Sequence, residues 1–166
     1  MLKSLLIASA AAWSFSGTAS AAPPPTAPAA SPADEATSFV TTIIDKFNRG
    51  DIKGWVSAQE DNTYIVDDFG PHVWSGPASA QRWLDDYMKM AKTQGVTAGR
   101  VDYGKAIATD ADQNNAYIVL PTTYSFMQNG AKMASTGSMT FVMKRHGKDW
   151  KIASWTYSGG TAAPEK

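Results

Sequence analysis

The sequence predicts an α+β domain, and three observations carry the prediction. The apolar stripes with helical spacing lie in the first half of the chain. Four strand-like runs follow in the second half, the last three long. An Asn-Gly pair, Asn129-Gly130, joins two of those long runs, and Asn-Gly between strand-like segments is a strong hairpin signal. The order is helix, helix, strand, helix, then four strands, so a layer of helices must cover one face of a mostly antiparallel sheet.

The chain opens with a segment outside that domain. Met1-Leu2-Lys3 gives a positive start, Leu5 to Phe15 is largely apolar, and Ala19-Ser20-Ala21 is a small-x-small cleavage site. Residues 1–21 therefore read as a secretory signal peptide, too short to span a membrane. A buried N-terminal helix is the other reading, and Pro23-Pro24-Pro25 would break it at once. Residues 22–32 are rich in Pro and Ala and are expected to form an extended tether. The product is expected outside the cytoplasm, periplasmic or secreted. Its remaining length of about 145 residues suffices for one domain burying roughly 68–70% of its unfolded surface. The chain has no cysteine, so no disulfide contributes.

Ser31-Pro32 opens the first helix. Serine is a preferred N-cap, proline suits the first helical position, and Asp34 stands where a capping-box acid would stand. Phe39, Val40, Ile43, Ile44 and Phe47 then form one apolar stripe. Gly50 ends the helix, and Asp51 can cap a short second one carrying Ile52, Trp55 and Val56. Asn62–Phe69 reads as a strand ending in the turn cluster Asp67-Asp68-Phe69-Gly70-Pro71. His72-Val73-Trp74 is a short extended piece. Gly76-Pro77 starts a helix running to Gln94, with Ala80, Trp83, Leu84, Tyr87 and Ala91 inward and Gly95 as its stop. Val96–Thr109 reads as one strand. Ala116–Gln128, Ala134–Arg145 and Trp150–Ser158 are the three long strands, and 161–166 a polar, frayed tail. The domain proper is expected over 33–160.

Alternation along the last two strands places apolar side chains in both registers: Trp150 and Ile152 on one side, Trp155 and Tyr157 on the other. Helices cover one face only, so the expectation is a homodimer packed through sheet faces, with a monomer bearing scattered surface aromatics as the alternative. Charge is balanced, with 15 Lys+Arg and 15 Asp+Glu. No basic excess points to nucleic acid or to an anionic membrane. Two histidines and no cysteine do not make a dedicated zinc or iron site, and no phosphate loop or nucleophile elbow is present. The expectation is no cofactor and no metal.

Four motifs in order resemble a known family. They are Phe-Asn-Arg-Gly-Asp (47–51), Asp-Asp (67–68), Trp-Ser-Gly-Pro (74–77) and Gly-Lys-Asp-Trp-Lys-Ile-Ala-Ser-Trp-Thr-Tyr-Ser (147–158). Together they resemble the nuclear transport factor 2-like superfamily, and within it an exported SnoaL-like branch. The resemblance implies a strongly curved sheet wrapped around the helices as a cone with a mouth and an apolar interior. Relatives include isomerases, dehydratases, cyclases and non-catalytic binding domains, so the fold leaves function open. Many relatives carry histidines in the last strand where this chain has Ser154 and Thr156, so histidine chemistry from that strand does not carry over.

The cone interior is the default ligand site. Enzymes on this fold commonly transfer protons with a carboxylate whose pKa apolar walls raise. The carboxylate candidates are Asp68 and Asp67. Asp68 is favoured because Tyr64 and Val66 share its register. His72 lies just beyond and is a candidate partner for the proton. The same residues also read as turn formers bonding nearby backbone N–H groups. Candidate wall residues are Trp55, Tyr64, Trp74, Trp83, Tyr87, Tyr103, Tyr124 and Phe126, although each also fits a packed core. Three functions follow: a small-molecule-binding domain without catalysis, a cofactor-free lyase or isomerase with an Asp base, and a structural dimer with a filled cone. An open cavity with an Asp at its wall and a hydroxyl or imidazole within hydrogen-bond reach favours the second, an open cavity without a buried ionisable group the first, and a packed interior the third.

Overall fold

The computed structural model describes residues 30–165; the expected signal peptide and most of the tether lie outside them. Helix α1 is Pro32–Asn48. Ser31 caps it, accepting from the Asp34 N–H at 3.2 Å while the Asp34 carboxylate reaches back to Ser31, the expected capping box. Its stripe buries Val40, Ile43 and Ile44. Helix α2 is Ile52–Ser57, capped by Asp51, which accepts from the Gly54 N–H at 2.9 Å. Helix α3 is Ser79–Gln94 and stops at Gly95, whose φ of +68° is the left-handed C-cap conformation. A Cβ at Gly95 would lie 2.4 Å from Asn129 Oδ1, so this glycine also lets the helix end sit against the Asn129-Gly130 hairpin.

The strands are β1 (Gln59–Val66), β2 (Val73–Trp74), β3 (Val96–Tyr103), β4 (Ala108–Ala111), β5 (Asn115–Gln128), β6 (Ala131–His146), β7 (Asp149–Gly159) and β8 (Ala163–Pro164). They form one mixed sheet in the order β2-β1-β7-β6-β5-β3, with β4 also on β5 and β8 also on β6. Only β1 and β7 run parallel among the described pairings. Register shifts interrupt the β1–β7, β3–β5 and β6–β7 pairings. Irregularities of this kind bend strands and strengthen twist, and the sheet curves around the helices without closing. The expected α+β cone is the observed fold.

Four expectations need correction. The predicted strand Val96–Thr109 is two strands. The break at Gly104–Ile107 keeps its partners, with Gly104 N–H donating to Pro121 O and Ile107 N–H to Val119 O, each at 2.9 Å. The first strand spans Gln59–Val66 rather than Asn62–Phe69, so Asp67 and Asp68 stand just past its end. The C-terminal tail is held rather than frayed: β8 pairs with Met133 and Ala134 of β6.

The fourth correction concerns the two sheet faces. Val142 pairs with Ser154 but Met143 pairs with Ile152, so Ala153 is an extra residue in β7. The bulge flips the register midway. Trp150, Ile152 and Trp155 are therefore all buried against the helices. The outer face instead carries Ser154 and Thr156 of β7, Thr140 and Val142 of β6, and Tyr117 and Val119 of β5, aligned strand to strand. The core lies between the inner face and the helices. It is rich in aromatic contacts, with Trp83 stacked on Tyr87 at 5.3 Å and 11° and touching Trp55 at 5.0 Å and Trp155 at 5.1 Å.

Candidate functional site

The concave side of the sheet and the helices do not fill the space between them. A cavity of about 450 Å³ remains, within the usual range for small-molecule sites. Its inner wall is Ile44, Phe47, Trp55, Trp83 and Trp155. Met90, Val101, Tyr124, Phe126 and Met139 widen it, and Asp68, Gly70, Gln94 and Gly160 are the lining residues that reach solvent at its mouth.

One carboxyl faces this interior, and it is Asp67. The register beyond β1 continues Thr63, Ile65, Asp67 as the inward series, all at most 9% exposed, while Tyr64 is 47% exposed on the other side. The preference for Asp68 is therefore corrected: Asp68 is exposed at the rim. Asp67 Oδ2 accepts from Trp83 Nε1–H at 2.9 Å, and Oδ1 accepts from the Asp68 N–H at 2.7 Å. The second bond is the turn-forming contact also read from the sequence. Burial pushes its pKa up to about 7, against the lowering effect of those two hydrogen bonds, and the nearby Asp68 charge adds to the rise.

Two hydroxyl pairs complete the polar lining. Tyr87 and Tyr124 share a hydrogen bond at 2.7 Å. One hydroxyl donates to the other, which leaves one O–H free for a ligand. Burial raises both pKa values, and the Asp67 charge raises them further, as it does for Tyr157. These tyrosines and Asp67 line the same cavity. A Cβ on Gly99 would stand 2.5 Å from the Tyr87 oxygen and 2.7 Å from the Tyr124 oxygen. Gly99 sits inside the β3 register shift, so the irregularity in β3 makes room for the pair. The second pair is Tyr157 and Ser135, at 2.8 Å.

Of the predicted wall residues, Trp55, Trp83, Tyr87, Tyr124 and Phe126 line the cavity. Trp74 does not: it is buried behind it, donating to Asp86 Oδ2 at 2.8 Å and packing on Phe69. Tyr64 lies outside. Tyr103 lines a separate groove beside α1 and donates to Asp45 Oδ2 at 3.2 Å. His72 is also corrected. It is exposed, with φ at +74°, and its Nδ1 lies 3.1 Å from the backbone oxygen of Asp67, not its carboxyl. Sequence reasoning missed Phe47, Met139, Ser135 and Gly160 as lining residues. The apolar stripe of α1 contained the signal for Phe47; nothing local marked Ser135 or Gly160. Among the described residues no three His, Cys, Asp or Glu side chains gather to hold a metal ion.

Known proteins can be compared with this geometry. No curated protein matches the sequence. The fold matches a hexachlorocyclohexane dehydrochlorinase, LinA-type3 from Novosphingobium barchaimii LL02, with a TM-score of 0.64 at 10% identity, covering 78% of this chain and 87% of that one. It also matches the CaMKII hub of S. rosetta (TM-score 0.64, 13% identity, 80% and 99% covered). An NTF2-like protein with a cystatin-like fold from Novosphingobium aromaticivorans gives a TM-score of 0.58 at 11% identity, with 74% and 78% covered. At these identities the likeness shows the fold alone. The SnoaL-like domain family model matches residues 37–163, and the chain belongs to that family, on the NTF2-like fold.

Proposed function

We propose that the cone binds a small, flat, mostly apolar or aromatic molecule and that Asp67 takes a proton from it, making the domain a cofactor-free isomerase or dehydratase-like lyase. The observation that carries this reading is the buried Asp67 carboxyl at the cavity wall, with a pKa near 7. A general base poised near neutral pH is best placed to accept a proton and release it again. The partner of Asp67 is an indole N–H rather than a hydroxyl or imidazole. Trp83 therefore fixes the carboxylate, while the free tyrosine O–H in the Tyr87–Tyr124 pair is the donor for a ligand oxygen. Asp67 removes a proton from carbon next to a carbonyl, and the bonding electrons move onto the carbonyl oxygen beneath the tyrosine. Returning the proton to a different carbon isomerises the ligand; expelling a group from the neighbouring carbon completes an elimination. One neighbour on this fold bears the name dehydrochlorinase, which is in keeping with such chemistry and does not assign its substrate here.

The test is solvent exchange. Small aromatic ketones such as acetophenone and 1-tetralone are incubated with the protein in deuterated water, and loss of the proton signal next to the carbonyl is followed by NMR. Catalysed exchange that Asp67→Asn abolishes supports the reading. Binding of these ketones without exchange leaves the domain a non-catalytic binder, the second reading, which the absence of His72 from the cavity favours.

We keep the homodimer as a proposal on a different ground, since the β7 bulge turns the aromatic residues expected on the outer face inward. The rows Tyr64–Ser154–Val142–Tyr117 and Val66–Thr156–Thr140–Val119 cross four strands without a charged side chain. We place the protein outside the cytoplasm after cleavage near Ala21; N-terminal sequencing of exported material starting at Ala22 would support this, and an intact Met1 would oppose it.

A further inference from the structure

After β7 the chain does not leave the domain. β7 pairs with Gly137–His146 only, so the start of β6 would otherwise be an open edge. The chain fills that edge itself. Gly160 N–H donates to Thr136 O at 3.1 Å, β8 pairs with Met133 and Ala134, and Glu165 N–H donates to Lys132 O at 3.0 Å. Between these anchors, Gly160 and Ala162 line the cavity. The segment therefore lies along the rim, on the same side as Ser135 and Tyr157.

Its root is tied to the polar wall. Ser135 Oγ donates to Gly160 O at 2.6 Å, so it accepts from the Tyr157 hydroxyl. Ser135 is 5% exposed. One buried serine thus joins a cavity hydroxyl to the segment at the mouth. Gly159 permits the close passage: a Cβ there would lie 2.2 Å from the Tyr157 oxygen. The far end is held weakly, by a two-residue strand and an exposed Lys132–Glu165 pair at 2.9 Å. Exposed pairs contribute little, and elements with few buried contacts open locally at low cost.

We infer that Gly160–Glu165 is a strap that selects ligands by length at the cone mouth, with Ala162 as the specificity-determining residue and Ser135 as its latch. This rests on the reading that the cone binds a small apolar molecule. A ligand that fits behind Ala162 leaves the strap closed; a longer one must displace it and loses the Ser135–Gly160 bond.

The probes are two 6-acyl-2-(dimethylamino)naphthalenes that share one fluorescent head, one acetyl and one hexanoyl. The full chain is compared with Ser135→Ala, Ala162→Trp and a chain ending at Gly159. The full chain should prefer the acetyl probe. In the shortened chain and in Ser135→Ala, hexanoyl affinity should rise relative to acetyl by about tenfold, with faster dissociation of the acetyl probe in stopped flow. Ala162→Trp should weaken both probes, and the hexanoyl one more, with an unchanged circular dichroism spectrum. An acetyl-to-hexanoyl ratio that is the same in all four proteins overturns the strap while leaving the cavity reading intact. Failure of every form to bind either probe overturns both.

Discussion

Replacing Asp67 by Asn should make the protein less active and, above neutral pH, more stable. In the folded state burial holds the Asp67 pKa at about 7, against an ordinary 3.8. Between those two values the unfolded chain has lost this proton and the folded protein retains it. Stability therefore falls as pH rises through that window, at about 1.4 kcal/mol per pH unit. It is fully present below 3.8 and lost by about pH 7, a total of about 4 kcal/mol. The Asn side chain carries no such proton. It can accept from only one of the two donors now on the carboxyl, Trp83 Nε1–H or the Asp68 N–H. The donor left over costs about 1–3 kcal/mol at every pH. At pH 4.5 the variant should thus be the weaker protein, and by pH 8 it should equal or exceed the wild type. Urea unfolding at half-unit steps from pH 4.5 to 8 measures the difference between the two. A difference independent of pH would mean that Asp67 titrates as an ordinary surface carboxylate and that the apolar walls do not act on it.

Three further substitutions probe the remaining geometry. Tyr124→Phe removes one member of the hydroxyl pair, and should cost about 1–2 kcal/mol in urea unfolding and slow ketone exchange by about 100-fold if the pair holds the developing oxyanion. Gly99→Ala drives a methyl group into both tyrosine oxygens; it should cost about 1–3 kcal/mol, and an unchanged unfolding midpoint would contradict the close approach. Val142→Lys, at a position 40% exposed on the outer sheet face, should leave monomer stability within about 0.5 kcal/mol while converting a dimer to a monomer in sedimentation velocity. A wild type that is itself monomeric at micromolar concentration would remove the dimer.

The helices were the most legible part of the sequence, because their ends carry local chemistry. Ser31, Asp34, Asp51 and Gly95 each act where the capping rules place them. The long strands and the Asn129-Gly130 turn were legible for the same reason. What alternation could not show was where it breaks. The single extra residue at Ala153 turns an apparent two-sided apolar strand into one with a polar outer face. A period-of-two argument carries no information on such a flip. The choice between Asp67 and Asp68 depends on which register of β1 faces inward, and alternation alone leaves that open: Thr63 and Ile65 are the inward residues and Tyr64 the outward one. His72 looked like a partner by proximity along the chain, but its positive φ sends the ring to the backbone of the turn. Ser135, Gly160 and Ala162 were out of reach because their place at the mouth depends on β8 pairing with a strand about thirty residues earlier in sequence.

The most direct measurement is an NMR titration of the Asp67 side-chain carboxyl carbon in protein labelled with 13C at aspartate, with Asp67→Asn used to assign the signal. A midpoint near pH 7 is the result predicted for a carboxyl held in an apolar cone. A midpoint near pH 4 would contradict a carboxyl whose pKa the apolar walls raise, and with it the base poised near neutral pH.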